Sequence, residues 1–292
     1  MAAIPKYPAI ISVRAARDRI TGFWIPLHDA FTGLGCQAPS EVIGAGSAHA
    51  SKWSSQSMMY TFPTDNGATN QVSLLALHGE NNLLDETLSL STAEADGTTQ
   101  ILIAMRLRFG NQADTVGWIM CYGKNDSTSS VIGLTLSTGE ALQAQLRGVG
   151  SGSVDTLTLT NTAGTAFTDA AWRDTNISLV YSLRRTGALT VGIEVQASNG
   201  TLSATYTGSH AVTDSTVMPG RNDASEEDHP GLMLGCRNSA TPALYFGKGS
   251  GNTSSIGNVC GWRGSYAAGN AAAALASMLL YPHEYVRWML ED

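Results

Sequence analysis

The stretch from Trp172 to Gly208 constrains the fold most, because it contains three consecutive apolar runs with strict two-residue alternation. Residues 177–183, 189–195 and 202–206 each carry an apolar side chain at every second position. This period places all the apolar side chains of a β-strand on one face. The stretch therefore predicts three strands that share an apolar face.

Two short connections join these predicted strands. Arg185-Thr-Gly187 is predicted to form the first turn, and Asn199-Gly200, a dipeptide typical of tight hairpins, the second. A three-stranded antiparallel sheet with one apolar face needs a second sheet to cover that face. The hairpins therefore predict one half of a β-sandwich.

The same pattern recurs along the chain, with short apolar runs separated by turn residues. Further strands are predicted within residues 21–27, 58–62, 72–77, 101–109, 118–122, 132–146, 157–159, 232–236, 244–246 and 259–266. Asn270 is a predicted N-cap for the alanine-rich segment that follows, which predicts a short C-terminal helix at about 270–290. We therefore expect an all-β fold, an antiparallel β-sandwich or jelly roll, as a single domain over residues 23–292.

Residues 1–22 are predicted to form an N-terminal arm, because Pro5 and Pro8 interrupt regular structure. Its basic residues Arg14, Arg17 and Arg19 contrast with an acidic chain. Two interpretations stay open: the arm lies on its own domain, or it reaches a neighbouring subunit and builds a homo-oligomer.

Charge and composition limit the functional classes. The net charge is −7, which argues against a general nucleic-acid-binding role. Charged residues are 14% of the chain, and glycine and hydroxyl side chains take their place, which suits short strands and turns. No run of about 18 apolar residues predicts a membrane span, and the N-terminus lacks the apolar core of a signal peptide, so synthesis in the cytoplasm is expected.

The four cysteines, at positions 36, 121, 236 and 260, are far apart and form no C-x-x-C pair. This spacing does not predict a metal site. Because disulfide frameworks are typical of much smaller chains, we expect buried thiols at these positions.

The order of segments resembles the concanavalin A-like lectin/glucanase superfamily, in particular the LamG-like jelly rolls of bacteriophage proteins. The segments that carry the resemblance are Phe23–Gly33, Ile101–Phe109, Trp118–Gly123, Ile132–Leu146, Ala171–Val180, Gly231–Cys236 and Tyr281–Trp288. The resemblance implies a binding or structural module, most often a virion component. The superfamily's F-x-G-x-I-D segment has no counterpart in residues 256–266, so no calcium or glycan site is carried over.

Catalytic patterns are not evident. Retaining glucanase chemistry needs two carboxyl groups about 5–5.5 Å apart, which a strand supplies at alternate positions. Glu194 stands alone on its predicted strand, and the acidic run 226–228 falls in a predicted loop. His28-Asp29 and His78-Gly-Glu80 have no nucleophile motif beside them, and the glycine-rich run 247–255 lacks the ending of a phosphate-binding loop. We therefore expect a protein that is not an enzyme.

Candidate ligand-binding residues fall in the predicted loops. They are Trp53, in a polar stretch, and Asn222, Asp223, Glu226, Asp228 and His229, in the long loop 209–231. No cofactor and no metal site is predicted. Calcium stays an open alternative through oxygen ligands on loops, with Asp114, Asn125, Asp126, Asp214, Asn222 and Asp223 as candidates. Trp118, Trp172 and Trp262 lie inside apolar runs and are predicted to belong to the core.

Two functional hypotheses follow. The first is a non-enzymatic bacteriophage structural protein, a capsid decoration or a tail or fibre component, assembled in the host cytoplasm with other virion proteins as partners. The second is a carbohydrate-binding module that recognises host surface glycans through the loops. The two hypotheses are compatible, because a fibre protein can also bind sugar.

Overall fold

The protein is seen in a computed structural model that describes a large part of the chain. The described residues are 13–15, 20–25, 41–44, 52–54, 59–61, 72–77, 90–91, 97, 99–110, 117–122, 131–137, 139–147, 155–187, 190–211, 216–217, 232–235 and 254–265. The predicted C-terminal helix at 270–290 lies outside them.

The described elements are almost entirely β-strands. The strands of the first half of the chain are β1 (Val13–Ala15), β2 (Ile20–Ile25), β3 (Glu41–Gly44), β4 (Lys52–Ser54), β5 (Met59–Thr61), β6 (Val72–Leu77), β7 (Leu90–Ser91), β8 (Thr99–Arg108), β9 (Gly117–Tyr122) and β10 (Val131–Leu136). Those of the second half are β11 (Leu142–Arg147), β12 (Asp155–Thr158), β13 (Thr160–Gly164), β14 (Asn176–Gly187), β15 (Thr190–Ser198), β16 (Ser203–Ala211), β17 (Thr216–Val217), β18 (Leu232–Leu234) and β19 (Ser255–Ser265). One turn of 3₁₀ helix, Ala170–Trp172, precedes β14.

The described strands form two principal antiparallel sheets. The large sheet has the order β1-β2-β19-β8-β14-β15-β16-β13, with β5 also paired to β19 and β4 to β5. The small sheet has the order β12-β11-β10-β9-β18-β6-β3, and β7 pairs with β17 apart from both. The predicted all-β sandwich is confirmed.

The apolar faces predicted from the sequence form the core between the two sheets. The large sheet contributes alternate residues of β8, β14, β15 and β16. The small sheet contributes alternate residues of β10 and β11, together with Ile119, Met120 and Tyr122 of β9. Representative core residues are Ile103, Leu179, Ile193, Leu134 and Ala144, all almost completely buried. Burial on this scale, at roughly 25 cal/mol for each Å² of apolar surface, is the main term that holds the sheets together.

A hydrogen bond joins the sheets through the middle of the core. The hydroxyl of Tyr181, on β14, donates to the carbonyl of Gly133, on β10, at 3.5 Å. Burial raises the pKa of Tyr181 far above the usual tyrosine value, because the phenolate would have no water around it. The hydroxyl therefore stays protonated and keeps its donor role.

An aromatic cluster fills the space between the sheets beside β13. Phe167 makes edge-to-face contacts with Phe109 and Trp172, at centroid distances of 5.0 and 5.1 Å, and a tilted contact with Tyr206 at 5.0 Å. The Phe167 amide donates to the Tyr206 hydroxyl at 2.6 Å, and the Trp172 indole donates to the carbonyl of Thr165 at 3.1 Å. Rings in this geometry are the favoured arrangement for aromatic contacts. The prediction that Trp172 belongs to the core is confirmed.

Two connections differ from the sequence prediction. The turn predicted at Arg185–Gly187 is wrong, because β14 continues to Gly187, which pairs with Thr190. A register shift between Arg185 and Gly187 lets the strand continue, and the Arg185 side chain is buried. The predicted single strand through Leu157 and Leu159 is two strands: β12 belongs to the small sheet and β13 to the large one.

The Asn199-Gly200 hairpin is confirmed. Gly200 has φ +90°, a conformation that glycine adopts without steric cost. The Asn199 side-chain oxygen accepts from the amides of Thr201 and Leu202, at 3.0 and 2.7 Å. The asparagine therefore holds the turn that aligns β15 with β16.

The described part of the predicted N-terminal arm lies on this chain's own sheet. Val13–Ala15 is the edge strand β1 and pairs with β2, which in turn pairs with β19. A role for the arm between subunits stays a prediction.

Candidate functional site

The loop residues predicted to bind a ligand cannot be compared with the structure. Asn222, Asp223, Glu226, Asp228 and His229 lie outside the described residues, as do the other calcium candidates Asp114, Asn125, Asp126 and Asp214. Trp53 lies on β4, where it pairs with Tyr60 of β5, but its side chain is not among those described. These predictions therefore stay predictions.

The described residues place a different group together, on the face of the small sheet that points away from the core. We call it the Trp118 platform. Its members, from β9 across to the edge strand β12, are Trp118, Gly133, Thr135, Gln143, Gln145, Thr156 and Thr158. Thr135 pairs with both Trp118 and Gln143, and Gly133 pairs with Gln145, so the members lie in adjoining rows.

Trp118 lies against the backbone of Gly133. A Cβ atom at Gly133 would be only 2.5 Å from Cζ3 and 3.3 Å from Cε3 of the tryptophan ring. The glycine therefore provides the space that the ring occupies, as glycine in a strand often does where another group approaches closely. Gln145 borders the same space, with its Cβ 3.2 Å from that position.

The glutamines of β11 are bonded to the threonines of β12. The Thr156 hydroxyl donates to the side-chain oxygen of Gln145 at 2.7 Å, and the amide nitrogen of Gln143 donates to the Thr158 hydroxyl at 3.3 Å. These bonds fix the amide orientations. A glutamine amide has two donor hydrogens and an acceptor oxygen, and a hydroxyl both donates and accepts, so the row offers both kinds of partner to a polar ligand.

The exposed fraction of the platform side chains rises from Trp118 on β9 to the threonines of the edge strand β12. Trp118, Thr135 and Gln145 are 5%, 6% and 8% exposed although they face away from the core, whereas Gln143 is half-buried. Thr156 and Thr158 are exposed. The platform is therefore covered at the tryptophan and open at the edge of the sheet.

Trp118 is buried, as predicted for a core residue, but its ring lies against Gly133, outside the cluster between the two sheets. The register of β9 against β10 shifts between Leu134 and Thr135, so that Ile119 has no partner in the pairing. Ile119 and Met120 both join the core, so the two-residue alternation of β9 is interrupted at this bulge and Trp118 faces the other way. The side chain of Trp262 is not among those described.

The carboxylates whose side chains are described each contact a different partner. Asp155 contacts His210 at 3.0 Å, Asp174 pairs with Arg108, and Glu140 pairs with Arg173 at 3.2 Å. Asp169 accepts from the amide of Ala171, and Glu194 accepts from Gln196 at 2.7 Å. The described carboxylates thus serve as caps and pairs on separate elements.

No group of three or more metal-ligating side chains occurs among the described residues. Cys121 is buried and forms no disulfide, as predicted. No helix in the described part of the chain has the length and apolar character that a membrane crossing requires.

The sequence contained part of the signal for the platform. Gln143 and Gln145 alternate with Leu142, Ala144 and Leu146, which already indicated an outward polar row. Gly133, inside an otherwise regular apolar strand, indicated a close approach of another group. That the approaching group is Trp118 could not be predicted, because the sequence does not indicate the bulge beside Ile119.

Comparison with known proteins found no matching family model and no similar curated protein. The similarities are to solved structures. The CBM40 module of the Ruminococcus gnavus IT-sialidase is 14% identical, with a TM-score of 0.37 over 63% of this chain and 85% of that module. A CBM2 module of the evolved Dit from Lactobacillus casei BL23 phage J-1 is 10% identical, with a TM-score of 0.36 over 72% of this chain and 77% of the other.

The NanB sialidase of Streptococcus pneumoniae is 11% identical, with a TM-score of 0.41 over 67% of this chain. The match spans about a quarter of that enzyme, 27% of its length. All three likenesses are distant, and the β-sandwich described above rests on this chain's own strands.

Proposed function

We propose that this protein is a non-enzymatic, lectin-like β-sandwich that binds carbohydrate on the Trp118 platform. The observation that supports the proposal is the row of amide and hydroxyl groups, held in place by the bonds from Gln145 to Thr156 and from Gln143 to Thr158, beside a buried tryptophan. Sugar rings carry hydroxyl groups that both donate and accept, and apolar C–H faces. The row of amides and hydroxyls on β11 and β12 offers partners for the hydroxyl groups.

Preorganisation is the physical advantage of this arrangement. The side chains of Gln143 and Gln145 lie on adjacent positions of one strand face and are already oriented by Thr158 and Thr156. A ligand therefore does not have to immobilise them, a cost of about 0.5–1.5 kcal/mol for each flexible side chain. The exposed side chains of Thr156 and Thr158 at β12 provide access for a ligand.

A glycan array on the full chain tests this proposal, with saturation-transfer NMR on the sugars that bind. Gln143→Ala is expected to weaken binding at least about tenfold, the effect of losing one or two hydrogen bonds to a polar ligand. Gln196→Ala is the matched control: Gln196 is also a half-buried glutamine opposite a threonine, Thr205, but on the large sheet. No bound sugar at millimolar concentration, or equal loss in both variants, would contradict the proposal.

We also propose that the protein is a bacteriophage virion component of the concanavalin A-like, LamG-like class, with other virion proteins as partners. The resemblance of its segments to phage jelly rolls supports this role. So does the outward face of β14, β15 and β16, where Ser, Thr and Gln side chains predominate and charges are few. Particle assembly in the host cytoplasm is part of this proposal.

Mass spectrometry of purified particles of the source phage tests the virion role. The protein is expected at a stoichiometric copy number with the major structural proteins. Its presence in lysates but absence from washed particles would contradict this role and would leave the carbohydrate proposal unaffected.

A further inference from the structure

The edge strand β12 orients the polar groups of the Trp118 platform. It is the last strand of the small sheet and pairs with β11. Thr156 and Thr158 project from its outer face and bond to Gln145 and Gln143. A strand at the edge of a sheet has a paired strand on one side only. The orientation of both glutamines therefore depends on what else holds β12 in place.

The inner face of β12 lies against β16, which belongs to the large sheet. Asp155 and Leu157 alternate with the two platform threonines, so their side chains point away from the platform. A carboxylate oxygen of Asp155 contacts Nε2 of His210, on β16, at 3.0 Å. This contact ties the strand that carries the platform threonines to the other sheet.

Gly208 lets β16 approach β12 closely enough for this contact. A Cβ atom at Gly208 would lie 2.7 Å from Cδ2 of Leu157 and 2.7 Å from Cδ2 of Leu159, whereas ordinary contacts begin at 3.4 Å. Gly208 does not have a positive φ, so the glycine provides space and not an unusual backbone conformation. His210 follows two residues later on the same face of β16, which brings its ring to Asp155.

The contact between Asp155 and His210 is a hydrogen bond with a defined direction. A carboxylate only accepts, so Nε2 of His210 is the donor. The side chain of Asp155 is 48% exposed and that of His210 18%. Because water screens a partly exposed pair, its contribution to the stability of the whole fold is small. Its effect is therefore expected at β12 itself.

We propose that Asp155 and His210 are positioning residues of the carbohydrate site. Their hydrogen bond holds β12 where its two threonines can orient the platform glutamines. Without it, β12 moves away from β16, the bonds from the threonines to the glutamines break, and the glutamine amides become free to rotate. A ligand then has to order these amides again, which lowers its affinity. The effect on affinity rests on the proposed carbohydrate function, whereas the orientation of the amides is a property of the ligand-free protein.

Side-chain amide NMR of the ligand-free full chain tests the positioning directly. Asp155→Ala is expected to move the NH₂ signals of Gln143 and Gln145 towards the values of solvent-exposed glutamine. Asp155→Asn is expected to leave both signals near their original positions, because the asparagine oxygen still accepts from His210. Thermal unfolding of both variants is expected to stay close to that of the unaltered protein, which separates a local change from a general loss of structure.

Glu194→Ala is the matched control. It removes a carboxylate that accepts from Gln196 at 2.7 Å on the large sheet, away from β12. This variant is expected to shift the NH₂ signals of Gln196 and to leave those of Gln143 and Gln145 unchanged.

Affinity for a sugar that the glycan array identifies gives the second measurement. Asp155→Ala is expected to weaken binding about two- to tenfold, which corresponds to the loss of one hydrogen bond. His210→Ala is expected to have the same effect, and the double variant no larger one, because either substitution alone breaks the contact. Asp155→Asn is expected to bind like the unaltered protein.

Three results would overturn the proposal. They are unshifted signals of Gln143 and Gln145 in Asp155→Ala, equal effects of Asp155→Ala and Asp155→Asn, and an additive loss of affinity in the double variant. A protein that binds no sugar contradicts the carbohydrate function instead. The ligand-free spectra still decide in that case whether Asp155 and His210 position the glutamines.

Discussion

Gly133→Ala is the perturbation that tests the geometry of the Trp118 platform most sharply. The added Cβ would lie 2.5 Å from Cζ3 of Trp118, whereas ordinary contacts of this kind begin at 3.4 Å. The ring therefore has to move by about 1 Å, out of a position in which it is almost completely buried. Gly133 does not have a positive φ, so the substitution tests packing and not backbone strain.

Two opposing contributions determine the expected change in the free energy of unfolding. Overpacking a dense site costs about 1–3 kcal/mol, and replacing glycine by alanine reduces the entropy of the unfolded chain by about 0.4–1 kcal/mol in favour of folding. The midpoints of these two ranges, about 2 and about 0.7 kcal/mol, leave a net loss in the free energy of unfolding of about 1.3 kcal/mol. Glycan binding is expected to weaken as well, because the displaced ring lies next to Gln145.

Urea unfolding measures the stability change, and near-ultraviolet circular dichroism reports the tryptophan environment. Gly187→Ala is the control: its Cβ would meet its nearest neighbour, Oγ1 of Thr190, at 3.7 Å, an ordinary contact. That variant is expected to be as stable as the unaltered protein or slightly more stable. Equal stability of the two variants, with an unchanged near-ultraviolet spectrum in Gly133→Ala, would refute the described contact.

Three further predictions concern the core and the turns. The pKa of Tyr181 is raised in the folded state, so its contribution to the free energy of unfolding is complete below about pH 10, the pKa of the unfolded chain, and declines as the pH rises above that value. In urea unfolding at alkaline pH, Tyr181→Phe is expected to lose less stability than the parent between pH 9 and about pH 11. Glu140→Gln is expected to cost about 1–2 kcal/mol in urea unfolding, because it leaves the partly buried Arg173 without its anion; an unchanged midpoint would show that the pair contributes nothing. Asn199→Ala removes the acceptor for two turn amides and is expected to lower the free energy of unfolding by about 1–2 kcal/mol. Thermal unfolding identical to that of the parent would show that Gly200 alone determines the hairpin.

The all-β architecture could be predicted because alternation is a local property. In β15, each of Val191, Ile193 and Val195 faces the core, as the two-residue period requires. The Asn199-Gly200 turn was predictable for the same reason, since its conformation depends on two adjacent residues.

Two differences from the sequence prediction have a common physical origin in register shifts. The bulge beside Ile119 turns Trp118 away from the cluster between the sheets, and the one beside Arg185 carries β14 past a predicted turn. A bulge is decided by how two strands pair with each other, which one strand's own sequence does not specify. The passage of the chain from one sheet to the other at Leu159 was missed for a different reason, because alternation continues unbroken through it.

The candidate site was harder to predict than the fold. Sequence reasoning placed ligand binding on loops that lie outside the described residues, and the Trp118 platform, on strands β9 to β12, was not among its candidates. Gln143 and Gln145 are unremarkable outward residues in the sequence. Their bonds to Thr158 and Thr156, and their position beside Trp118, depend on the order of strands in the small sheet.

Side-chain amide NMR tests the proposed carbohydrate site most directly. In a ¹⁵N-labelled sample titrated with a sugar that the array identifies, the NH₂ signals of Gln143 and Gln145 are expected to shift together, along one binding curve, with the indole signal of Trp118. The NH₂ signal of Gln196, on the large sheet, is expected to stay in place. Shifts at Gln196 with none at Gln143 and Gln145 would contradict the assignment of carbohydrate binding to the Trp118 platform.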